Sequence, residues 1–205
     1  AMVAAFNDET VVDPSFTSKG ETWESHVRVF DGLVWSEWFV TDSVIIVNTP
    51  PVVTNISLLP HGKLTTDSDL YVEWEQFDID GDLEQASQIR WWVDGEWITD
   101  YDGLYSIPSS EVDRDEHWSV QVIPGDGEGL GTSMKTNSRV VENARPIILE
   151  VTLENSPIGD MVTSPDSLND LLAIAITRDP DNEPVELVYS WFRDGFIVPD
   201  LGGND

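Results

Sequence analysis

The sequence predicts an all-β protein built of tandem β-sandwich repeats, one complete and two partial. Three observations predict it. Apolar residues recur with a period of two, the period of a half-buried strand. Short turn signals punctuate those runs. The chain also matches itself. Trp23 stands eight residues before Asp31-Gly32, Trp118 stands eight before Asp126-Gly127, and this offset of 95 residues runs on to Asn48 and Asn143 without a gap.

The elements follow in order. Trp23, Ser25, Val27 and Val29 alternate with Glu24, His26 and Arg28, which predicts a strand with one buried face. Asn48-Thr49-Pro50-Pro51 reads as a short extended linker, stiffened where proline fixes φ. Leu70, Val72 and Trp74 alternate with Tyr71, Glu73 and Glu75 as a second strand. Trp91-Trp92-Val93 runs into Asp94-Gly95, a hairpin signal. Trp118, Val120 and Val122 alternate with Ser119 and Gln121, and Asn143-Ala144-Arg145-Pro146 is a second linker. Pro165-Asp166-Ser167 before Leu171–Ile176 offers a helix start, but its register with 67–77 favours a strand.

A second correspondence covers the other half of the repeat. Asp78–Asp82 matches Asp179–Glu183 at offset 101, and Trp91–Gly95 matches Trp191–Gly195 at offset 100. The expected organisation is therefore the back half of one unit at 1–48, a complete unit at 49–146, and the front half of another at 147–205. A unit of roughly 95 residues with about seven short strands is the size of a β-sandwich. Trp91 and Trp118 occupy its expected inter-sheet core. Repeats cut at both ends point to an internal piece of a longer protein.

Charge narrows the function. Lys and Arg total 10 against 39 Asp and Glu, a net charge of −29, which excludes recognition of nucleic acid or anionic lipid through a positive footprint. The chain is 40% hydrophobic with nine Trp, so the acidity does not signal disorder. There is no cysteine, which excludes disulfides, thiolate zinc sites and cysteine nucleophiles. No apolar run reaches the length of a membrane span, and no signal-peptide pattern opens the chain.

The Asn48–Pro51 linker, the acidic DIDGD at 78–82, the WWVDG at 91–95 and the run from Trp118 to Gly127 carry a resemblance. The sequence resembles the tandem immunoglobulin-like, PKD-like or cadherin-like repeats of large bacterial and archaeal surface proteins. The resemblance implies an immunoglobulin-like fold, a role as stalk, spacer or adhesive array, and in some members calcium binding. It carries no cysteine pair, so likeness to disulfide-bonded immunoglobulin domains is architectural only.

The leading candidate site is Asp78, Asp80 and Asp82, with Glu84 close by. Alternating carboxylates around a turn-forming Gly81 can converge on one hard cation, and Ca²⁺ takes six to eight oxygens. The twelfth position is Ile89 and no helices flank the loop, so it is not an EF-hand. The competing reading is a solvated acidic loop. In an immunoglobulin-like topology this loop would lie at the pole beside the Asn48–Pro51 linker, where Asp126 and Glu128 would join it. Asp179, Asp181 and Glu183 repeat the pattern with Pro180 and Asn182 between them.

Enzyme signals are weak. His26, His61 and His117 fall in unrelated contexts, and no nucleophile elbow, metal-binding histidine pair or phosphate loop appears. Trp35, Trp38 and Trp97 are candidate sugar contacts, because the repeat does not demand an aromatic at the first two. The competing reading is packing against the neighbouring unit or against the missing half-domain. Asn55-Ile56-Ser57 is a glycosylation sequon. The expected function is a non-catalytic, extracellular or cell-surface repeat region with calcium-stiffened joints, whose partners are neighbouring repeats, surface glycans or other surface proteins. The alternative is a carbohydrate-binding accessory region of a secreted polysaccharide-active enzyme. A third reading is purely osmotic, with the charge serving only hydration in high salt.

Overall fold

The computed structural model describes residues 9–156, 160–161 and 170–199. The protein is mostly β, and helical residues among those described occur in 3-10 turns such as Pro14–Phe16, Thr99–Tyr101 and Ser109–Glu111. Four short strands come first: β1 (Thr22–Trp23), β2 (His26–Val27), β3 (Phe39–Val40) and β4 (Val44–Ile45). Next come β5 (Val52–Leu59), β6 (Leu64–Thr65), β7 (Leu70–Phe77), β8 (Gln88–Val93) and β9 (Glu96–Ile98). They are followed by β10 (Ser106–Ile107), β11 (His117–Ile123), β12 (Met134–Lys135) and β13 (Arg139–Glu142). The last are β14 (Ile147–Ser156), β15 (Asp160–Met161), β16 (Asp170–Arg178), β17 (Phe192–Arg193) and β18 (Phe196–Ile197).

The described residues gather into two compact units. Among the described residues, the first draws on 9–59, Tyr71–Ser106 and Trp118–Ser138. Here β5 runs antiparallel to β7 with a bulge between Val53 and Asn55. Strand β11 lies between β8 and β12, and β8 continues into β9 through Asp94 and Gly95 at φ 51° and 87°. Two successive positive φ values make the mirror-image turn whose twist matches a hairpin, and Asp-Gly is its preferred pair. Trp91 and Trp118 are fully buried and meet edge to face at 6.1 Å. The Trp91 indole N–H donates to the Leu104 carbonyl at 2.8 Å, so the ring is buried without an orphaned donor. Val53, Leu58, Val72, Ile89, Val120 and Val122 complete this core.

Ser119 departs from the expected alternation. It is buried although it points away from the Trp118–Val120–Val122 face, because β11 is a central strand and pairs it directly with Trp92.

The second unit draws on Pro60–Leu70, Ile107–His117 and Arg139–Asp205. Its core holds Leu64, Leu70, Ile107, Val112, Val141 and Ala144, and β6 and β13 pair in parallel through Leu64 and Val141. Strand β14 pairs with β15 and with β16, again with a bulge, between Ile148 and Glu150. The residues from Asp170 are strand, as the register with 67–77 predicts, and Pro165–Ser167 lie outside the described residues. Strands β17 and β18 are joined by Asp194 and Gly195 at φ 51° and 84°.

The sequence repeat recurs bond for bond. Thr41 N donates to Ser25 O and Thr136 N to Val120 O, both at 2.9 Å. Ser36 N donates to Val29 O and Gly131 N to Pro124 O, both at 2.8 Å. The β2–β3 register, His26 with Val40 and Val27 with Phe39, is that of Gln121 with Lys135 and Val122 with Met134. The strand expected from Trp23 to Val29 breaks into β1 and β2, and its apolar positions Val27 and Val29 are exposed, in a segment whose sheets are two-stranded.

Candidate functional site

The DIDGD loop is shaped by its first aspartate. Asp78 Oδ1 accepts from the backbone N–H of Asp80 at 2.8 Å and of Asp82 at 3.3 Å. Gly81 takes φ 81° and its N–H reaches the Asp78 carbonyl. An aspartate that bonds the backbone two residues on favours such a turn. The result places one carboxylate oxygen each of Asp78, Asp80 and Asp82 within 4.8 Å of one another. Asp78 Oδ2 is buried and has no protein hydrogen-bond partner.

The linker and the loop after β11 close around this cluster. Thr49 N donates to Asp80 Oδ2 at 2.8 Å. Asn48 Nδ2 donates to Asp126 Oδ2 at 2.7 Å, and Asn48 Oδ1 is a second buried acceptor without a partner. Asp126 Oδ1 accepts from Glu128 N and Gly129 N at 2.7 and 2.6 Å. These bonds, the Asn48 amide foremost, hold the Asp126 carboxyl down to about 2. Gln85 N bonds Gly125 O at 2.9 Å and ties the two loops side by side. Lys19 Nζ bridges Asp82 Oδ2 at 2.7 Å and Glu128 Oε1 at 2.6 Å. Those two carboxylates, Asp82 first, raise the Lys19 pKa. Glu84 turns to its own loop, accepting from Ser87 N at 3.3 Å.

The second acidic loop has the same wiring. Asp179 Oδ1 accepts from Asp181 N at 2.8 Å and Glu183 N at 3.2 Å. Asn182 takes φ 59° where the first loop has Gly81. Ala144 N of the linker donates to Asp181 Oδ2 at 2.9 Å, as Thr49 does to Asp80. Arg114 pairs with Glu183 and also donates to Asn143 Oδ1 at 3.0 Å. Glu183, before all else, raises the Arg114 pKa. Arg114 follows Lys19 by 95 residues, the offset of the repeat.

Among the described residues, the grouping of three acids able to share one ion is Asp78, Asp80 and Asp82. Asp126 and Glu128 lie beside it but are engaged by Asn48 and Lys19. Asp179, Asp181 and Glu183 are brought together by the turn and engaged by the linker and Arg114. Lys19, Arg114 and Asn48 did not stand out as site residues in the sequence. The signal that finds the two cations is their spacing at the repeat offset.

Trp35 and Trp38 come together around Arg28, whose Cζ lies 4.3 and 4.5 Å from the two ring centroids. Phe30 packs against Trp35 at 4.8 Å. Both tryptophans stay about half exposed, but the guanidinium occupies ring faces that a sugar would stack on. Trp97 stacks on Trp92 at 6.5 Å and donates Nε1–H to Asp102 at 2.8 Å. Asn55 is exposed within β5, beside a groove of about 510 Å³ that includes Trp74, Glu84 and Tyr105. No helix among the described residues is long and apolar enough to cross a membrane. Comparison with protein-family models, with curated proteins and with solved structures found no match.

Proposed function

We propose that the chain is a non-catalytic section of a tandem array of immunoglobulin-like domains, with boundaries near residues 48 and 146, that serves as an extracellular stalk, spacer or adhesive array. The carrying observation is that one joint device occurs twice at repeat-related positions. In each, an aspartate-templated turn presents a carboxylate to the linker backbone and another to a cation from the preceding repeat. Such a device fixes the angle between successive units, which is what a spacer needs.

At the first joint we assign a calcium ion to Asp78, Asp80 and Asp82. The support is chemical. Three carboxylates offer hard oxygens, and the two buried acceptors without donors, Asp78 Oδ2 and Asn48 Oδ1, belong to this loop cluster. At the second joint the guanidinium of Arg114 donates to Asn143 Oδ1, the counterpart of Asn48 Oδ1, which has no donor at the first.

Thermal melts in calcium test the assignment against matched sodium and magnesium. A ligand confined to the folded state at 100 times its dissociation constant adds about 2.7 kcal/mol. Asp80→Asn keeps an oxygen for Thr49 N and removes a charge, and the calcium-specific shift should largely vanish. Equal stabilisation by magnesium or sodium, or an unchanged shift in the variant, would leave only general screening of a solvated acidic loop.

A further inference from the structure

We propose that the open edge of β7 at Trp74 and Gln76 takes up an extended basic peptide as an added strand, with lysine or arginine side chains two residues apart set against Glu73 and Glu75. The edge lies wholly within the middle repeat. Strand β7 has β5 on one side along its length and the two-residue β10 on the other. Val72 N donates to the Tyr105 carbonyl at 3.1 Å and Ser109 N to Asp69 Oδ1 at 2.7 Å, so the β10 segment runs antiparallel to β7 and away from Trp74. The residues before Tyr105 leave for the other sheet. Gly103 N donates to the Ile89 carbonyl at 2.9 Å, and the Leu104 carbonyl accepts from Trp91 Nε1. Among the described residues, no strand pairs with β7 on this side beyond Val72.

Alternation decides which backbone groups are left over. In an antiparallel ladder, successive residues turn their N–H and C=O groups to opposite sides. Val72 turns to β10, while the Glu75 carbonyl turns to β5 and accepts from Thr54 Oγ1 at 3.2 Å. Trp74 and Gln76 therefore turn theirs to the open side, where no backbone partner meets them among the described residues. A guest strand in line with β10 exchanges both bonds with Trp74, then both with Gln76. Main-chain pairing of this kind supplies affinity, and the side chains that alternate along the guest supply selectivity.

Charge selects the guest. Glu73 and Glu75 are exposed on one face of β7, with Val72 buried and Trp74 half-buried on the other. With Glu84, Trp74 and Tyr105 they line a groove of about 510 Å³, and the Trp74 and Tyr105 rings stack at 5.7 Å. None of the three glutamates pairs with a cation among the described residues. The guest residue opposite Trp74 points to the same side as that ring, which suits a β-branched side chain. Its two neighbours stand opposite Glu73 and Glu75 and share their face. Opposite charges stabilise such cross-strand pairs and like charges destabilise them. A second copy that laid its own β7 here would set glutamate against glutamate, so the guest is a basic partner. The net charge of −29 also draws a basic segment in.

The test titrates the full chain with a capped peptide in which lysine alternates with valine and threonine. Calorimetry should show binding, and amide exchange should slow at the Trp74 and Gln76 N–H groups while β11 stays as it was. An isomer of the same composition with its lysines in one block separates strand addition from general attraction to an acidic chain, and it should bind more weakly. Methylation of the valine and threonine amide nitrogens should abolish binding, because those groups face the edge. Methylation of the lysine amides should leave it in place. Glu73→Gln with Glu75→Gln changes two exposed side chains without touching the core, and affinity should fall by about tenfold. Absence of binding would overturn the proposal. So would equal binding of the block isomer or of the valine-methylated and threonine-methylated peptide, or unchanged exchange at Trp74 and Gln76. These results would leave the joints and the repeat reading untouched, since neither depends on the β7 edge.

Discussion

Asp126 is held firmly by its surroundings. Asn48 and the N–H groups of Gly129 and Glu128 stabilise its charged form, which moves its folded pKa from the ordinary 3.8 to about 2. A depressed carboxyl contributes stability that is fully present above the unfolded value and lost as pH falls through the folded one. The window therefore runs from about pH 4 down to about pH 2. Asn48→Ala removes the largest cause, so denaturation midpoints should fall less steeply across that window in the variant. An identical acid limb would show that Asn48 does not hold Asp126 in solution. The tryptophans divide at the same scale. Trp91 and Trp118 are fully buried, so truncation to Ala should cost about 3–5 kcal/mol by chemical denaturation. Trp35 is 54% exposed and rests on Phe30 and Arg28, so Trp35→Ala should cost far less. Near-equal losses at all three positions would mean that Trp35 is a core residue.

The acidic loops show what an element demands of its residues. Gly81 and Asn182 hold the same left-handed position, and a Cβ at Gly81 would meet nothing within 4 Å. Only the backbone conformation then discriminates. Asparagine tolerates it and a β-branched residue does not. Gly81→Asn should be nearly neutral and Gly81→Val should cost about 1–3 kcal/mol, read by denaturant melts. Equal costs would mean that the turn relaxes to another conformation. Much of this element was legible in the sequence. The DIDGD spacing and the Asp-Gly turns after the aromatic strands follow from local chemistry and the repeat, and the linker beside the loop was expected from an immunoglobulin-like topology. The bridging cations were not. Lys19 lies 63 residues from Asp82, and nothing local marks a lysine that far away as a partner. Ser119 was missed for a related reason: the large Trp92 stands opposite it on β8, and alternation along one strand does not contain that neighbour.

At the scale of the whole chain, the pattern that begins at Trp118 gives the seven-residue strand β11, while the same pattern at Trp23 gives β1 and β2 of two residues each. Periodicity supplies the propensity, but a strand persists only where a partner fills its edge and a second layer covers its face. The two-residue strands β1, β2 and β17 were legible as strands, and their shortness follows from what pairs with them, which no local window contains. Local stability should rank accordingly. Amide exchange should be slowest at β8 and β11, intermediate along the β14–β16 pair with its nine paired positions, and fastest at β1–β4 and β17–β18. Uniform protection along the chain would contradict the ranking, because it requires the flanks to be as well covered as the Trp91–Trp118 core. Fast exchange at β8 and β11 would contradict it more deeply, since those strands carry Trp91, Trp118, Val120 and Val122, all fully buried.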